Sequence, residues 1–301
     1  MEENRKKSGF AAIVGRPNVG KSTLMNQIIG QKIAITSSRP QTTRKRILTV
    51  YTDEVGQIVF LDTPGLIQET GNKLGDYMRK VSIGTLKDAD VILYLIEPST
   101  YIGEGDKEMI GLLQKAGRPV ILVVNKCDKV AYERMLPVID AFRKQMDFDE
   151  IVPVSALKGT NCADLLATIF KYLPEGPEFY DEETVTDEPI RDITSEIIRE
   201  KALMLLNEEV PHGIAVVVEK METREDGLTE VYASIICEKD SHKGIIIGKG
   251  GSMLKKIGSA SRYEIERLIE GRVYLKLFVK VRQNWRDNAR LLKELNYREE
   301  S

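Results

Sequence analysis

From Phe10 to about residue 172 the chain alternates short apolar runs with stretches whose apolar residues recur every three or four positions. The runs are "FAAIV" (10–14), "QIVFL" (57–61), "VILYLI" (91–96), "PVILVV" (119–124) and "IVPV" (151–154). The amphipathic stretches fall at 21–29, 74–86, 104–116, 131–144 and 161–172. Continuous apolar runs of this length read as strands buried on both faces. Their alternation with helices predicts an α/β domain with a mainly parallel sheet and helices on both faces.

After residue 172 the pattern changes. The acidic, proline-containing segment "LPEGPEFYDEETVTDEP" reads as a linker at about 174–188, and it divides the chain into domains 1–178 and 179–301. Beyond it the sequence predicts a helix over 189–207, then a strand pair "GIAVVVEKM" and "TEVYASIICE" around the turn residues "EDG". A glycine-rich loop follows, then a helix over 252–269 with Met253, Leu254, Ile257, Ile265 and Leu268 on one face. A strand "RVYLKLFVKV" and a last helix from about 284 complete the chain. The order α-β-β-α-α-β plus one helix predicts a small α+β domain.

Composition narrows the function classes. The 301 residues suffice for two domains, and 42% hydrophobic content gives each a core. No apolar run approaches the roughly 18 residues needed to span a bilayer, and "MEENRKKSG" does not read as a secretion signal. Cys127, Cys162 and Cys237 show no metal-ligand spacing, which fits a reducing compartment. A cytoplasmic protein is expected. The net charge of -2 conceals a polarity: residues 175–200 hold ten acidic side chains against two basic, whereas 241–293 hold thirteen Lys and Arg against four Asp and Glu. The basic segment is a candidate polyanion surface.

"GRPNVGKST" (Gly15, Arg16, Pro17, Asn18, Val19, Gly20, Lys21, Ser22, Thr23) follows a predicted strand, opens a helix and matches G-x-x-x-x-G-K-[ST]. Its backbone N–H groups would wrap phosphates, Lys21 would neutralise β- and γ-oxygens, and Ser22 would ligate Mg²⁺. In "FLDTPGL", Asp62 ends a strand within reach of the magnesium shell. Thr63, Pro64, Gly65 and Leu66 follow it, with the Gly65 N–H directed at the γ-phosphate. Base choice rests on "NKCD": Asp128 can accept two hydrogen bonds from guanine that adenine cannot donate, so GTP is preferred over ATP. Asn125 would brace the pocket, Lys126 would lie along the ring, and in "SAL" (Ser155, Ala156, Leu157) the Ala156 N–H would meet the guanine carbonyl.

The second glycine loop, "KGIIIGKGG" (Lys243, Gly244, Ile245, Ile246, Ile247, Gly248, Lys249, Gly250, Gly251), lacks a Lys-Ser/Thr pair and cannot be another phosphate loop of that kind. Between two predicted helices it reads as the G-x-x-G loop of a type II KH domain, which clamps single-stranded nucleic acid against an apolar groove. Ile245, Ile246 and Ile247 are expected in the groove floor. Lys243, Lys255, Lys256 and Arg262 are expected at phosphates. Tyr274 and Trp285 could stack on bases, although an aromatic in a small domain is more often core.

The first half resembles the translation-factor-like class of P-loop GTPases. "QTTR" (Gln41 to Arg44) is similar to its first switch, in which Thr42 or Thr43 would ligate Mg²⁺. Leu66 stands where Ras-like enzymes carry a water-orienting glutamine. Asn18 matches a subgroup in which this asparagine helps bind a potassium ion in place of an arginine finger. This implies potassium-stimulated hydrolysis of GTP to GDP. Over essentially its whole length the chain resembles the Era-type bacterial GTPases. That resemblance implies a monomeric, GTP-regulated assembly factor for the 30S ribosomal subunit. Its KH groove would bind single-stranded 16S rRNA near the 3′ end rather than DNA, with partial association at the cytoplasmic face of the membrane. Leu66 keeps open an alternative, a nucleotide-dependent RNA-binding module with little intrinsic hydrolysis.

Overall fold

The apolar runs become the strands of a six-stranded sheet, seen in a computed structural model that describes residues 6–36, 42–65, 71–207 and 210–297. The chain forms two units, the first made of 1–34, 43–69 and 78–187, the second of 35–42, 70–77 and 188–301. In chain order the elements through residue 172 are β1 (Lys7–Gly15), α1 (Lys21–Ile29), β2 (Ile47–Thr52), β3 (Gly56–Asp62), α2 (Lys73–Asp88), β4 (Val91–Ile96), α3 (Glu104–Ala116), β5 (Val120–Val124), α4 (Met135–Arg143), β6 (Glu150–Pro153) and α5 (Cys162–Tyr172).

The sheet order is β2-β3-β1-β4-β5-β6, parallel except for β2. The pattern of apolar runs passes over this antiparallel edge strand. Its sequence, "ILTVYT", mixes apolar with hydroxyl-bearing residues because only part of it is buried. Strand periodicity sends alternate residues to opposite cores. Ala11, Ile13, Phe60, Leu93 and Val123 pack with Leu24, Leu165 and Ile169 on one face. Ala12, Val14, Ile92, Leu122 and Val124 pack with Met109, Leu113, Val138 and Phe142 on the other. Two-sided burial is why these strands read as unbroken apolar runs.

The segment expected to be a linker does not hang free up to Asp187. Ser8 N–H donates to the Pro174 carbonyl, Val50 N–H to that of Val185, and Thr186 Oγ1 to that of Leu48. The buried Gln57 amide accepts from the Phe179 and Tyr180 N–H groups and donates to the Tyr180 carbonyl. Phe179 also stacks on Phe10, with centroids 4.9 Å apart. Acidic composition marks exposure of these side chains, while the backbone follows the sheet edge.

The second unit contains α6 (Ile190–Leu205), β7 (Ala215–Thr223), β8 (Leu228–Cys237), α7 (Asp240–Ile247), α8 (Ser252–Leu268), β9 (Arg272–Val281) and α9 (Ala289–Glu294). Its sheet runs β7-β8-β9, with β7 antiparallel and β9 parallel to β8. Ile197 and Ile198 of α6, Ile246 of α7 and Ile257 and Ile265 of α8 bury against Val216, Val231, Ala233, Ile235 and Val273. The last helix starts later than expected. Asn284 turns left-handed (φ 51°), a tight turn covers Trp285–Asp287, and the Asn288 side chain caps α9 by accepting from the Arg290 and Leu291 N–H groups. Thr36 and Thr42 also belong to this unit: the buried Glu200 carboxylate accepts from Thr36 N–H at 2.8 Å, and Arg199 donates to the Thr42 carbonyl. No helix among the described residues is long and apolar enough to cross a membrane.

Candidate nucleotide site and RNA groove

In the first unit the site gathers at the carboxyl ends of β1, β3 and β5, where open α/β sheets bind ligands. Gly15 ends β1, Asp62 ends β3, and Asn125 follows β5. The loop needs glycine at position 20, where φ is 102° and an added Cβ would lie 2.2 Å from Asn125 Nδ2. Lys21 is buried, and its Nζ donates to the Gly15 and Arg16 carbonyls at 3.1 Å each. Burial lowers its pKa, opposed by Asp62. The ammonium is thus held inside the loop that it would leave to meet phosphate oxygens.

Three oxygens meet beside it. Ser22 Oγ donates to Asp62 Oδ2 at 2.9 Å, and Thr43 Oγ1 lies 3.2 Å from Ser22 Oγ and 3.4 Å from Asp62 Oδ2. Asp62 is fully buried, and its other oxygen, Oδ1, has no hydrogen-bond partner. An orphaned buried carboxylate oxygen with two hydroxyls alongside fits a hard divalent cation that prefers oxygen ligands. The structure brings Thr43 to this cluster, while Thr42 lies in segment 35–42. Gln41 and Leu66 lie outside the described residues.

Burial pushes the Asp62 carboxyl up to about 6, against the pull of Lys21 and the hydrogen bonds from Ser22 and Thr43. The folded chain therefore retains a proton that the unfolded chain releases near 3.8, and stability in the absence of metal falls as pH rises through that window, then levels off. Calorimetry without nucleotide or magnesium should find Asp62→Asn more heat-stable than the native chain at about pH 7, with the gap closing towards pH 4. Magnesium with nucleotide should raise the Tm of the native chain and not that of the variant. A variant less stable at every pH would contradict this account.

The base end is pre-assembled. Asn125 Nδ2 donates to the Val19 carbonyl at 2.8 Å and its Oδ1 accepts from Ala156 N–H at 2.9 Å, tying phosphate loop to base loop. The N–H expected at the guanine carbonyl is thus engaged by Asn125. Lys126, left-handed at φ 61°, donates to the Asn18 carbonyl at 2.7 Å and pairs with Glu97. Ser155 Oγ donates to Asp128 Oδ1 at 2.7 Å, which with Lys158 holds the Asp128 carboxyl below its usual range and therefore ionised for a base. Leu157 is exposed.

Sequence reasoning missed one support. Asp106 at the start of α3 is fully buried, accepts from Tyr94 Oη at 3.0 Å and from Gly103 N–H at 3.0 Å, and pairs with Arg16 Nε at 3.1 Å. This anchors the side chain of the phosphate loop's second residue. An aspartate at the third position of a helix reads as an ordinary cap, so nothing in its spacing marks the contact.

In the second unit α7 is capped by Gly248 (φ 72°), Gly250 and Gly251 are left-handed, and α8 begins at Ser252. Lys249 and Gly250 are exposed at the apex. A groove of about 360 Å³ opens beside the loop between α8 and β9, floored by Leu254, Gly258, Leu275 and Leu277 and rimmed by Lys255, Arg262 and Lys276. This corrects the expected floor. Ile246 is fully buried in the core because helix periodicity turns it inward, and Ile245 is half exposed. Trp285 is also core: it is fully buried, its Nε1–H donates to the Gly213 carbonyl at 3.0 Å, and it stacks on Tyr297.

A glycine loop around a buried lysine, a cluster of Ser22, Thr43 and Asp62 oxygens and the Asn125–Asp128 turn, all on one mainly parallel sheet, are the arrangement of a P-loop GTPase domain, and the second unit is a type II KH domain. The model of the "50S ribosome-binding GTPase" family matches residues 10–126, and that of the KH domain matches 209–286. The chain is 50% identical over 292 residues to GTPase Era of Ruminiclostridium cellulolyticum, covering 97% of this chain and 98% of that protein. It is 50% identical over 297 residues to GTPase Era of Lactobacillus helveticus, covering 99% and 98%. Among solved structures it is similar to a variant of Aquifex aeolicus Era bound to GDP.AlF4⁻ (TM-score 0.93, 41% identity, 97% of this chain and 99% of that one). It is equally similar to Era in complex with MgGDPNP and nucleotides 1506–1542 of 16S ribosomal RNA (TM-score 0.94, 41% identity, the same coverage). The chain belongs to the GTPase Era family.

Proposed function

We infer that this chain hydrolyses GTP as a switch, binds single-stranded 16S rRNA near its 3′ end through the KH groove, and serves assembly of the 30S subunit. The observation that carries the reading is the meeting of Ser22, Thr43 and Asp62 oxygens beside Lys21, on a loop joined through Asn125 to a base pocket holding an ionised Asp128. The Era structure in complex with MgGDPNP and nucleotides 1506–1542 of 16S ribosomal RNA supports it.

Ser22, Thr43 and Asp62 would hold Mg²⁺, which when bound neutralises charge on the β- and γ-phosphates. Lys21 would exchange its two carbonyl partners for phosphate oxygens, and the Gly65 N–H would meet the γ-phosphate. Asn18, left-handed at φ 66°, stands on the loop where a monovalent cation would sit. Thr43 directly follows a segment that Glu200 and Arg199 hold at Thr36 and Thr42. Loss of the γ-phosphate would free Thr43 and disturb that segment, so RNA affinity should differ between the GTP-analogue and GDP states.

Turnover should rise in potassium over sodium chloride by on the order of tenfold, since a cation stabilising the transition state replaces a strong electrostatic element. Asn18→Ala should remove the difference. Steady-state phosphate release with and without RNA of the 16S 3′ end is the test. Rates indifferent to both potassium and RNA, with nucleotide still bound, would leave a nucleotide-dependent RNA-binding module.

A further inference from the structure

The three-stranded sheet of the second unit has two faces, and the apolar floor of the groove uses only one. Val273, Leu275, Leu277, Val279 and Val281 of β9 turn towards the helices. The alternate residues therefore turn to the opposite face. There Tyr274 is 47% and Phe278 37% exposed, with Lys276 between them and its Nζ 5.3 Å from the Phe278 ring centroid. Tyr232 of β8 extends the strip, its ring 6.3 Å from that of Tyr274.

Charge distinguishes the occupant. The carboxylates of this region are matched: Glu219 with Lys280, and Glu230 with Arg224 and Lys220. Lys276 has no carboxylate partner among the described residues. An exposed cation flanked by two exposed rings, about 13 Å apart along the strand, matches phosphates alternating with flat bases. β9 is the outer strand of its sheet, so its free edge lies between the two rings and the groove floored by Leu275 and Leu277, and Lys276 at that edge also rims the groove.

We propose that the outer face of β9, carrying Tyr274, Lys276 and Phe278, is a second single-stranded RNA surface, reached by an RNA strand that leaves the KH groove over the edge of β9. This rests on the reading of the groove as an RNA site, and it extends the bound length beyond the roughly four nucleotides that one G-x-x-G loop clamps. The face would contact bases by stacking, with little preference for sequence.

The test uses the full chain and two single-stranded RNAs from the 16S 3′ end, one of about four nucleotides and one of about twelve. Fluorescence anisotropy would compare the native chain with Tyr274→Ala/Phe278→Ala, which leaves the groove rim intact. The long RNA should lose on the order of tenfold or more in affinity for this variant, while the short RNA is unaffected. These are exposed positions, and circular dichroism would check that the variant folds. Equal affinities of the two proteins for the long RNA would overturn the proposal, and so would equal losses on both RNAs, which would place the effect in the groove. Unchanged RNA binding with weakened capture of purified 30S subunits would assign the strip to a protein partner and also overturn it. A native chain that binds neither RNA would instead remove the groove reading on which the proposal stands.

Discussion

Replacing Asp128 by asparagine is expected to lower affinity for GTP by on the order of 10³- to 10⁴-fold and to favour xanthosine triphosphate. The Asp128 carboxylate is held ionised, chiefly by the Ser155 hydroxyl on Oδ1, with Lys158 Nζ 4.0 Å from Oδ2, and each oxygen keeps a lone pair for the base. Two acceptor oxygens suit the two N–H donors of guanine. An amide presents one donor and one acceptor, so one guanine N–H would face an N–H of the protein, and leaving such a group unpaired accounts for the size of the loss. Xanthine has a carbonyl where guanine has its amine and matches the amide. Binding titrations of both proteins with both triphosphates would decide it. A variant that keeps GTP affinity within about threefold would show that Asp128 does not read the base.

The second large effect concerns the other unit. Lys249→Asp/Gly250→Asp should lower affinity for 16S 3′ RNA by on the order of 10²-fold, because one favourable charge becomes two repulsive ones where the sugar-phosphate strand must approach most closely. Gly250 is left-handed at φ 59° with nothing within 4 Å of an added Cβ, and aspartate is among the side chains that tolerate this conformation. The loop should therefore keep its shape while losing its ligand. Lys249 is exposed, so no core contact is lost. Basal GTP turnover without RNA should stay the same, and stimulation by RNA should disappear. An RNA affinity that is unaltered, or that changes no more than it does on doubling the salt, would falsify the assignment of this loop.

Legibility in the sequence followed physical locality. The phosphate loop, the Asp62 strand end and the Asn125–Asp128 turn were legible because each is a short segment whose spacing is dictated by one strand end and one ligand group. The three-residue turn of Lys249, Gly250 and Gly251 between two helices was legible for the same reason. Ile245 to Ile247 show where this stops: three consecutive isoleucines look alike in a string, and only helix rotation separates the buried Ile246 from the half-exposed Ile245. The groove floor came instead from Leu254, Leu275 and Leu277, on elements brought together by the sheet. β2 escaped notice because an edge strand buried only in part carries a weak apolar signal.

Thr42 and Thr43 are alike in the sequence, since adjacent threonines have the same chemistry; chain direction alone puts the Thr43 hydroxyl against Ser22 and Asp62. Asp106 and Tyr94 belong to the same class of tertiary fact: each is unremarkable alone, and only the packing of α3 against β4 turns them into a buried anchor for Arg16. By itself the sequence determined a P-loop GTPase fold followed by a KH fold, because their glycine loops depend on local backbone geometry and on residue types that few other folds require. The tertiary structure alone decided which threonine hydroxyl joins Ser22 and Asp62, which apolar residues floor the groove and which aromatic rings face solvent, because those depend on distances between segments far apart in the chain.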